Sequence, residues 1–150
     1  MTDIISPEAR SRNMSAIRSK NTKPEVYLRH LLFMRGYRYR NNVSNVIGHP
    51  DLYMAKYNTA IFINGCFWHR HPGCRYAYTP KSNIEFWNRK FESNVYRDRT
   101  VRESLKECGI RQIIIWECTV KKMRSNGIVQ DQKLREIEDF LHGSDQFLEL

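Results

Sequence analysis

Thirteen residues, FINGCFWHRHPGC at 62–74, hold two cysteines, two histidines and three aromatic rings. Thiols and imidazoles at that density suit a metal ion, and an imidazole left over suits proton transfer. Cys66, His71 and Cys74 fall in a tight loop after the apolar run TAIFI, and Cys118 follows a second apolar run, QIIIWE. If the unit from 59 to 117 is a right-handed strand–helix–strand crossover, its two strands are parallel and end on one side. Cys118 then completes a tetrahedral Cys3His zinc set with Cys66, His71 and Cys74. Four protein ligands leave no position for water, so such a zinc would be structural. The competing reading is a pair of buried thiols beside a surface histidine. Cys108 has no such company and is expected in the core.

His69 is then unassigned, and a histidine held by a rigid loop with a free ring nitrogen is a candidate general base. Its partner is expected on a long helix. The stripe Trp87, Phe91, Asn94, Asp98, Val101, Leu105 has spacings of four and three, and two polar residues interrupt it. A buried carboxylate needs a cation, a metal or a histidine. Asp98 either pairs with Arg97, Arg99 or Arg102, or orients His69 and raises its basicity. Asp51 opens a strand in GHPDLYM. There it is either a turn residue or a magnesium ligand, since hydrolysis of a phosphodiester needs a hard cation held by one or two carboxylates. Glu25 is explained as a helix-capping partner, with support of the metal as the lesser reading. Phe67 and Trp68 either pad an apolar corner or wedge between base pairs, where unstacking is easiest at a mismatch; Trp87 could stack beside them.

These side chains need elements to carry them. Thr22 and Glu25 have capping-box spacing and Pro24 suits a first turn, so a helix should begin there and end near Gly36. YRYR at 37–40 alternates as a strand, and DLYMA and TAIFI read as a hairpin across KYN. Ser82 and Glu85 form a second capping box opening the long helix, which should reach about Glu107. QIIIWE at 112–117 reads as a buried central strand and 130–142 as a last amphipathic helix. The order is that of a mixed α/β sandwich forming one domain over 1–150, with an arm at 1–21 and a core at 22–142.

Charge says what the surface meets. The chain has a net charge of +9, and residues 1–50 hold nine Lys/Arg against three Asp/Glu. Residues 101–150 instead hold eight against nine, so a polyanion should lie across the first two-thirds. Residues 10–23 carry five basic residues, Arg12 and Arg18 among them, and no acid, as expected of an arm or short helix lying on something negative. No apolar run approaches the length of a membrane span, and nothing reads as a signal peptide. A cytoplasmic protein is expected, and reduced cysteines there favour metal over disulfides.

SRNMSAIRSKNTKPE, GHPDLYM, FINGCFWHRH, NVYRDR and IIIWEC together resemble the very-short-patch-repair (Vsr) mismatch endonucleases, in the family's order, over about residues 11 to 120. The resemblance implies a restriction-endonuclease-like fold with a central mixed sheet. It implies magnesium-dependent nicking of duplex DNA 5′ of the thymine in a thymine–guanine mismatch left by deamination of 5-methylcytosine. By motif, Asp51 is the magnesium ligand and His69 the base. Asn94 and Asp98 support the metal waters and the base, with Glu25 an accessory acid. Cys66, His71, Cys74 and Cys118 are the zinc set. Phe67, Trp68 and Trp87 enter the DNA beside the mismatch, and the segment around Met14 reaches over the duplex from its other side. Ile63 and Asn64 stand where the familiar pattern has threonine and histidine. Ile63 would serve the metal through its backbone carbonyl, whatever its side chain. Pro72 and Gly73 also depart from the pattern, but the ligand types survive. The implied partner is mismatched double-stranded DNA acted on by a monomer, with mismatch-repair proteins as a candidate second partner and no membrane.

Two rivals stand beside this reading. A restriction-type nuclease would cut paired DNA, which the FW wedge argues against. A non-catalytic zinc-bearing DNA-binding module would have no need of Asn94 and Asp98 inside an apolar stripe.

Overall fold

The Thr22-Lys-Pro-Glu25 cap forms as its spacing predicts. In the computed structural model, which describes residues 20–150, Thr22 is the N-cap of α1 (Lys23–Met34) and its Oγ1 accepts from the Glu25 backbone N–H. Met14, Arg12 and Arg18 lie outside the described residues. Leu28 and Leu32 turn fully inward from α1. The chain then forms β1 (Arg40–Asn41), β2 (Leu52–Met54), a 3-10 turn, and β3 (Thr59–Asn64). The long helix α2 (Ile84–Glu107) follows, then β4 (Arg111–Trp116), α3 (Glu117–Ser125), α4 (Gly127–His142) and β5 (Phe147–Glu149).

The five strands form one mixed sheet in the order β1-β2-β3-β4-β5. β1–β2 and β2–β3 are antiparallel, whereas β3–β4 and β4–β5 are parallel. The expected crossover is therefore present: β3 and β4 run together in register from Thr59↔Arg111 to Asn64↔Trp116. Period-2 alternation divides their side chains between two faces. Ile61, Ile113 and Ile115 join Leu28 and Leu32 of α1, Val120 and Met123 of α3, and Leu134 and Ile137 of α4 in the main core. Phe62, Asn64, Gln112 and Ile114 take the opposite face, where α2 packs on β4. The result is an α/β fold of three layers. No helix among the described residues is long and apolar enough to cross a membrane.

Several expectations need correction. The first strand covers only Arg40–Asn41 of the region expected at 37–40, because Tyr37 turns into the core and donates or accepts at His142 Nε2, 3.2 Å away. The N-cap of α2 is Asn83, not Ser82; its φ of 55° is left-handed and its side chain makes no cap bond. The last helix, expected at 130–142, forms as α4, and a further helix that was not expected, α3, precedes it; Asn126 separates the two and caps α4 through bonds from the backbone N–H groups of Ile128 and Val129. Past residue 142 the chain adds β5 to the sheet edge. Cys108 is exposed rather than in the core, since it is the C-cap of α2, one residue past the end of the helix.

Candidate active site and metal knot

The parallel β3–β4 pair ends where the chemistry gathers. Asp51, just before β2, lies across from the end of β3, and its Oδ2 accepts the Ile63 backbone N–H at 2.7 Å. Asp51, Glu25, Ile63 and His69 line one cleft of about 900 Å³, joined by His49 and Glu117. Burial pushes the Asp51 carboxyl up to about 7; the Ile63 N–H opposes this and the Glu25 charge adds to it. Two acids crowding one partly dry cleft is a charge distribution that a cation relieves.

Glu25 is held rather than free. Its Oε2 accepts from the Asn21 backbone N–H at 3.0 Å and its Oε1 from the Thr22 hydroxyl at 3.3 Å. The capping reading is thus correct, and the cap also fixes an acid in the wall of the cleft.

A turn at Gly65–His69 carries the histidine. The His69 backbone N–H donates to Gly65 O at 3.0 Å, and Asn94 Nδ2 donates to Trp68 O at 3.0 Å. Asn94 is buried, so the polar interruption in α2 serves as a pin on this turn. One helical turn further, Asp98 Oδ2 lies 2.6 Å from His69 Nδ1. The pairings of Asp98 with Arg97, Arg99 or Arg102 do not form; the histidine takes the carboxylate. With Nδ1 so engaged, Nε2 is the nitrogen left for proton transfer.

Beyond His69 the chain closes on itself. The donor atoms of Cys66, His71, Cys74 and Cys118 lie within 4.8 Å of one another, a set that could hold a metal ion. Its three cysteines form no disulfide. Burial pushes the Cys66 thiol up to about 12, a value that a bound cation would reverse. His71 stacks on Trp116, with ring centroids 4.2 Å apart and planes 7° from parallel. The Trp116 indole N–H donates to Glu149 Oε1 at 2.8 Å, so β5 braces the knot.

Phe67 occupies the centre of an aromatic cluster, 5.0 Å from Trp68, 5.5 Å from Trp87 and 5.2 Å from Phe91, centroid to centroid. Trp68 and Trp87 are themselves 5.9 Å apart. The rings form an apolar corner and one half-exposed surface at the same time, flanked by exposed Phe86 and Tyr78.

Asp51, Glu25, Ile63 and His69 therefore meet in the cleft, Asp98 reaches it through His69, and Asn94 acts one residue away through Trp68. The sequence reading missed His49, Glu117 and Glu149. His49 was legible as the neighbour of Pro50-Asp51, and Glu117 as the residue before Cys118. Glu149 left no signal, because its role depends on a strand pairing.

An imidazole–carboxylate pair at one lip of an acidic cleft, with a thiol–imidazole knot bracing that lip, defines a class of α/β enzyme. Comparison with known proteins makes it particular. Residues 2–75 match the family model described as DNA mismatch endonuclease Vsr. A type II nicking enzyme, V.NmeAIP of Neisseria meningitidis, is 42% identical over 93% of this chain and 99% of its own length. The nicking enzyme V.XorIIP of Xanthomonas oryzae is 38% identical over 93% and 98%. The DNA mismatch endonuclease Vsr of Escherichia coli is 36% identical over 95% and 90%. The chain belongs to the Vsr family.

Proposed function

We propose that this protein is a cytoplasmic, monomeric DNA endonuclease on a restriction-endonuclease-like fold, nicking duplex DNA 5′ of the thymine in a thymine–guanine mismatch. The observation that carries the reading is the His69–Asp98 pair at 2.6 Å, placed at the lip of the cleft that holds Asp51.

His69 Nε2 takes a proton from water as the water oxygen bonds to phosphorus and the bond to the 3′ oxygen breaks, and the released 3′ oxygen takes a proton from solvent water to become the 3′ hydroxyl. Asp98 keeps the proton on Nδ1 and stabilises the imidazolium that results. Asn94 holds the Trp68 carbonyl, and with it the turn from which His69 projects. Asp51, with the Ile63 carbonyl and Glu25 in support, would hold magnesium; when bound, that ion polarises the phosphate and stabilises its developing charge. The donors are hard oxygens and suit it. Cys66, His71, Cys74 and Cys118 are the soft donors that suit zinc, with all four positions filled by protein. Phe67, Trp68 and Trp87 support mismatch selection, because rigid rings beside a cleft wedge most easily where stacking is already weak. The net charge of +9 supports a duplex partner.

The test uses two end-labelled duplexes with the same flanks, one bearing a single thymine–guanine mismatch and one fully paired, with and without magnesium. A magnesium-dependent nick confined to the thymine strand of the mismatched duplex is expected. Cleavage of both duplexes would make the protein a restriction-type nuclease. Binding without cleavage of either, with zinc present, would make it a DNA-binding module.

A further inference from the structure

His69 stands between two hollows. The first is the acidic cleft of Glu25, Asp51 and Glu117. The second, of about 470 Å³, opens between α2 and the outer face of the sheet; His49, Asn64, Arg97, Asp98 and Gln112 surround an apolar floor of Phe62 and Ile114. His49, Asn64 and His69 border both.

The second hollow has the marks of a binding site rather than a packing gap. Asn64 is only 7% exposed, yet no described residue hydrogen-bonds its side-chain amide. Gln112 is 4% exposed, and its Oε1 is sealed without a partner. The register explains the alignment: Ala60↔Gln112, Phe62↔Ile114 and Asn64↔Trp116 set both amides on the face that α2 covers. Buried amides are ordinarily satisfied, and apolar residues would fill a dry gap better.

Arg97 supplies charge. Its guanidinium bonds to Asn94 Oδ1 at 3.3 Å, and no carboxylate among the described residues forms an ion pair with it. The nearest acid in sequence, Asp98, is committed to His69. His49 is held at the mouth by a backbone that few side chains favour, with φ of 52°. Gly48 before it has φ of 82° and presses so closely on α2 and β3 that a Cβ would stand 2.5 Å from Val101 Cγ1 and 3.1 Å from Phe62 Cζ. The loop is therefore clamped, and the imidazole is placed rather than loosely attached.

Arg97, a cation without an acid partner, lies on one side of His69, where the one lining carboxylate, Asp98, is already paired with His69; three acids line the other side, and the His49 imidazole and the uncommitted Asn64 amide stand at the border of the two. We propose that the second hollow is a phosphate subsite, which seats the phosphodiester next to the one being cut. Arg97 neutralises it, and Asn64 and His49 hydrogen-bond its oxygens. Asn64 thus acts as a neutral amide donor to the DNA backbone at a position where the family's familiar pattern has histidine. The inference rests on DNA being the substrate and deepens that reading, because it states which part of the strand each side of His69 receives.

The experiment replaces single phosphates flanking the nick, one at a time, by neutral methylphosphonates in a mismatched duplex. Affinity is measured without magnesium, so that the strand stays whole. For the unaltered protein, one phosphate adjacent to the nick should weaken binding about tenfold when neutralised. Arg97→Gln should weaken binding of the unmodified duplex by a similar factor and lower the slope of log affinity against log salt by about one. In that variant, neutralising the same phosphate should then have no further effect. His49→Ala, on an exposed residue, should show the same loss of sensitivity in smaller measure, and carries the test if Arg97→Gln fails to fold. An unchanged salt slope and an unchanged methylphosphonate profile in both variants would overturn the subsite. Failure of the unaltered protein to bind any duplex would instead overturn the DNA reading beneath it.

Discussion

His69 and Asp98, twenty-nine residues apart in sequence, are joined by a 2.6 Å contact between Nδ1 and Oδ2. The imidazole is thereby fixed to α2, a rigid helix, as well as to its own turn, and its tautomer follows from the contact. Removing the imidazole by His69→Ala should nearly abolish nicking while zinc content and DNA affinity survive. Asp98→Asn preserves the shape but not the charge, and should lower the single-turnover rate by about a hundredfold to ten-thousandfold. Loss of zinc or of DNA binding in His69→Ala would make that residue structural.

Asp51 makes stability depend on pH. Its carboxyl is raised from 3.8 to about 7 on folding, chiefly by burial, so the folded chain holds this proton more tightly than the unfolded one. The resulting destabilisation is nearly absent at pH 4, grows as pH rises towards 7, and is level above that. Asp51→Asn should therefore raise the melting temperature of the metal-free protein at pH 8 and barely change it at pH 4, while abolishing nicking. Thermal unfolding followed by circular dichroism across that range checks the sign. An equal shift at both pH values would remove the ionisation argument.

The thiol–imidazole knot joins the ends of β3 and β4. Cys118→Ala should unfold or aggregate the protein, since structural zinc sites contribute directly to folding. A soluble, fully active variant would sink the zinc assignment.

Glu149 should act on that knot without touching the metal. Its carboxylate holds the Trp116 indole, on which His71 stacks. Glu149→Ala should weaken zinc retention about tenfold to a hundredfold in competition with a chelator, while Glu149→Gln, which keeps an acceptor, should stay near the starting value. Equal retention in both variants would show that the brace is idle.

Gly48 gives a steric prediction. Gly48→Ala combines an unfavourable φ with a Cβ 2.5 Å from Val101 Cγ1 and should cost about 1–3 kcal/mol in chemical denaturation. No change would mean that α2 moves aside readily.

Much of this was legible in the sequence because the signals were local. Thr22 to Glu25 stated a cap, the stripe from Trp87 to Leu105 stated an inward face, and the two polar residues in it stated partners, found at His69 and the Trp68 carbonyl. TAIFI and QIIIWE joined by a helix stated a parallel pair, which placed Cys118 beside Cys66. What escaped depended on contacts distant in sequence. Ser82 has the capping residue type, but the chain turns at Asn83. Cys108 has the type of a core residue, but it falls at the exposed C-cap of the helix. β5 is three residues long and is a strand only because β4 offers an edge. The resemblance named Ile63 and Asn64 as departures; what surrounds Asn64 required the register of two strands and the position of α2.

The chain between Cys66 and Cys118 contains the whole of α2. A metal bound at the knot therefore closes a long loop, and the segment inside it carries Asn94 and Asp98. Loop closure restricts the unfolded ensemble as well as the folded site. Chelation would then act at a distance: the returned chain entropy favours detachment of the helix that orients His69. A metal held there need never touch a phosphate for its loss to silence the site.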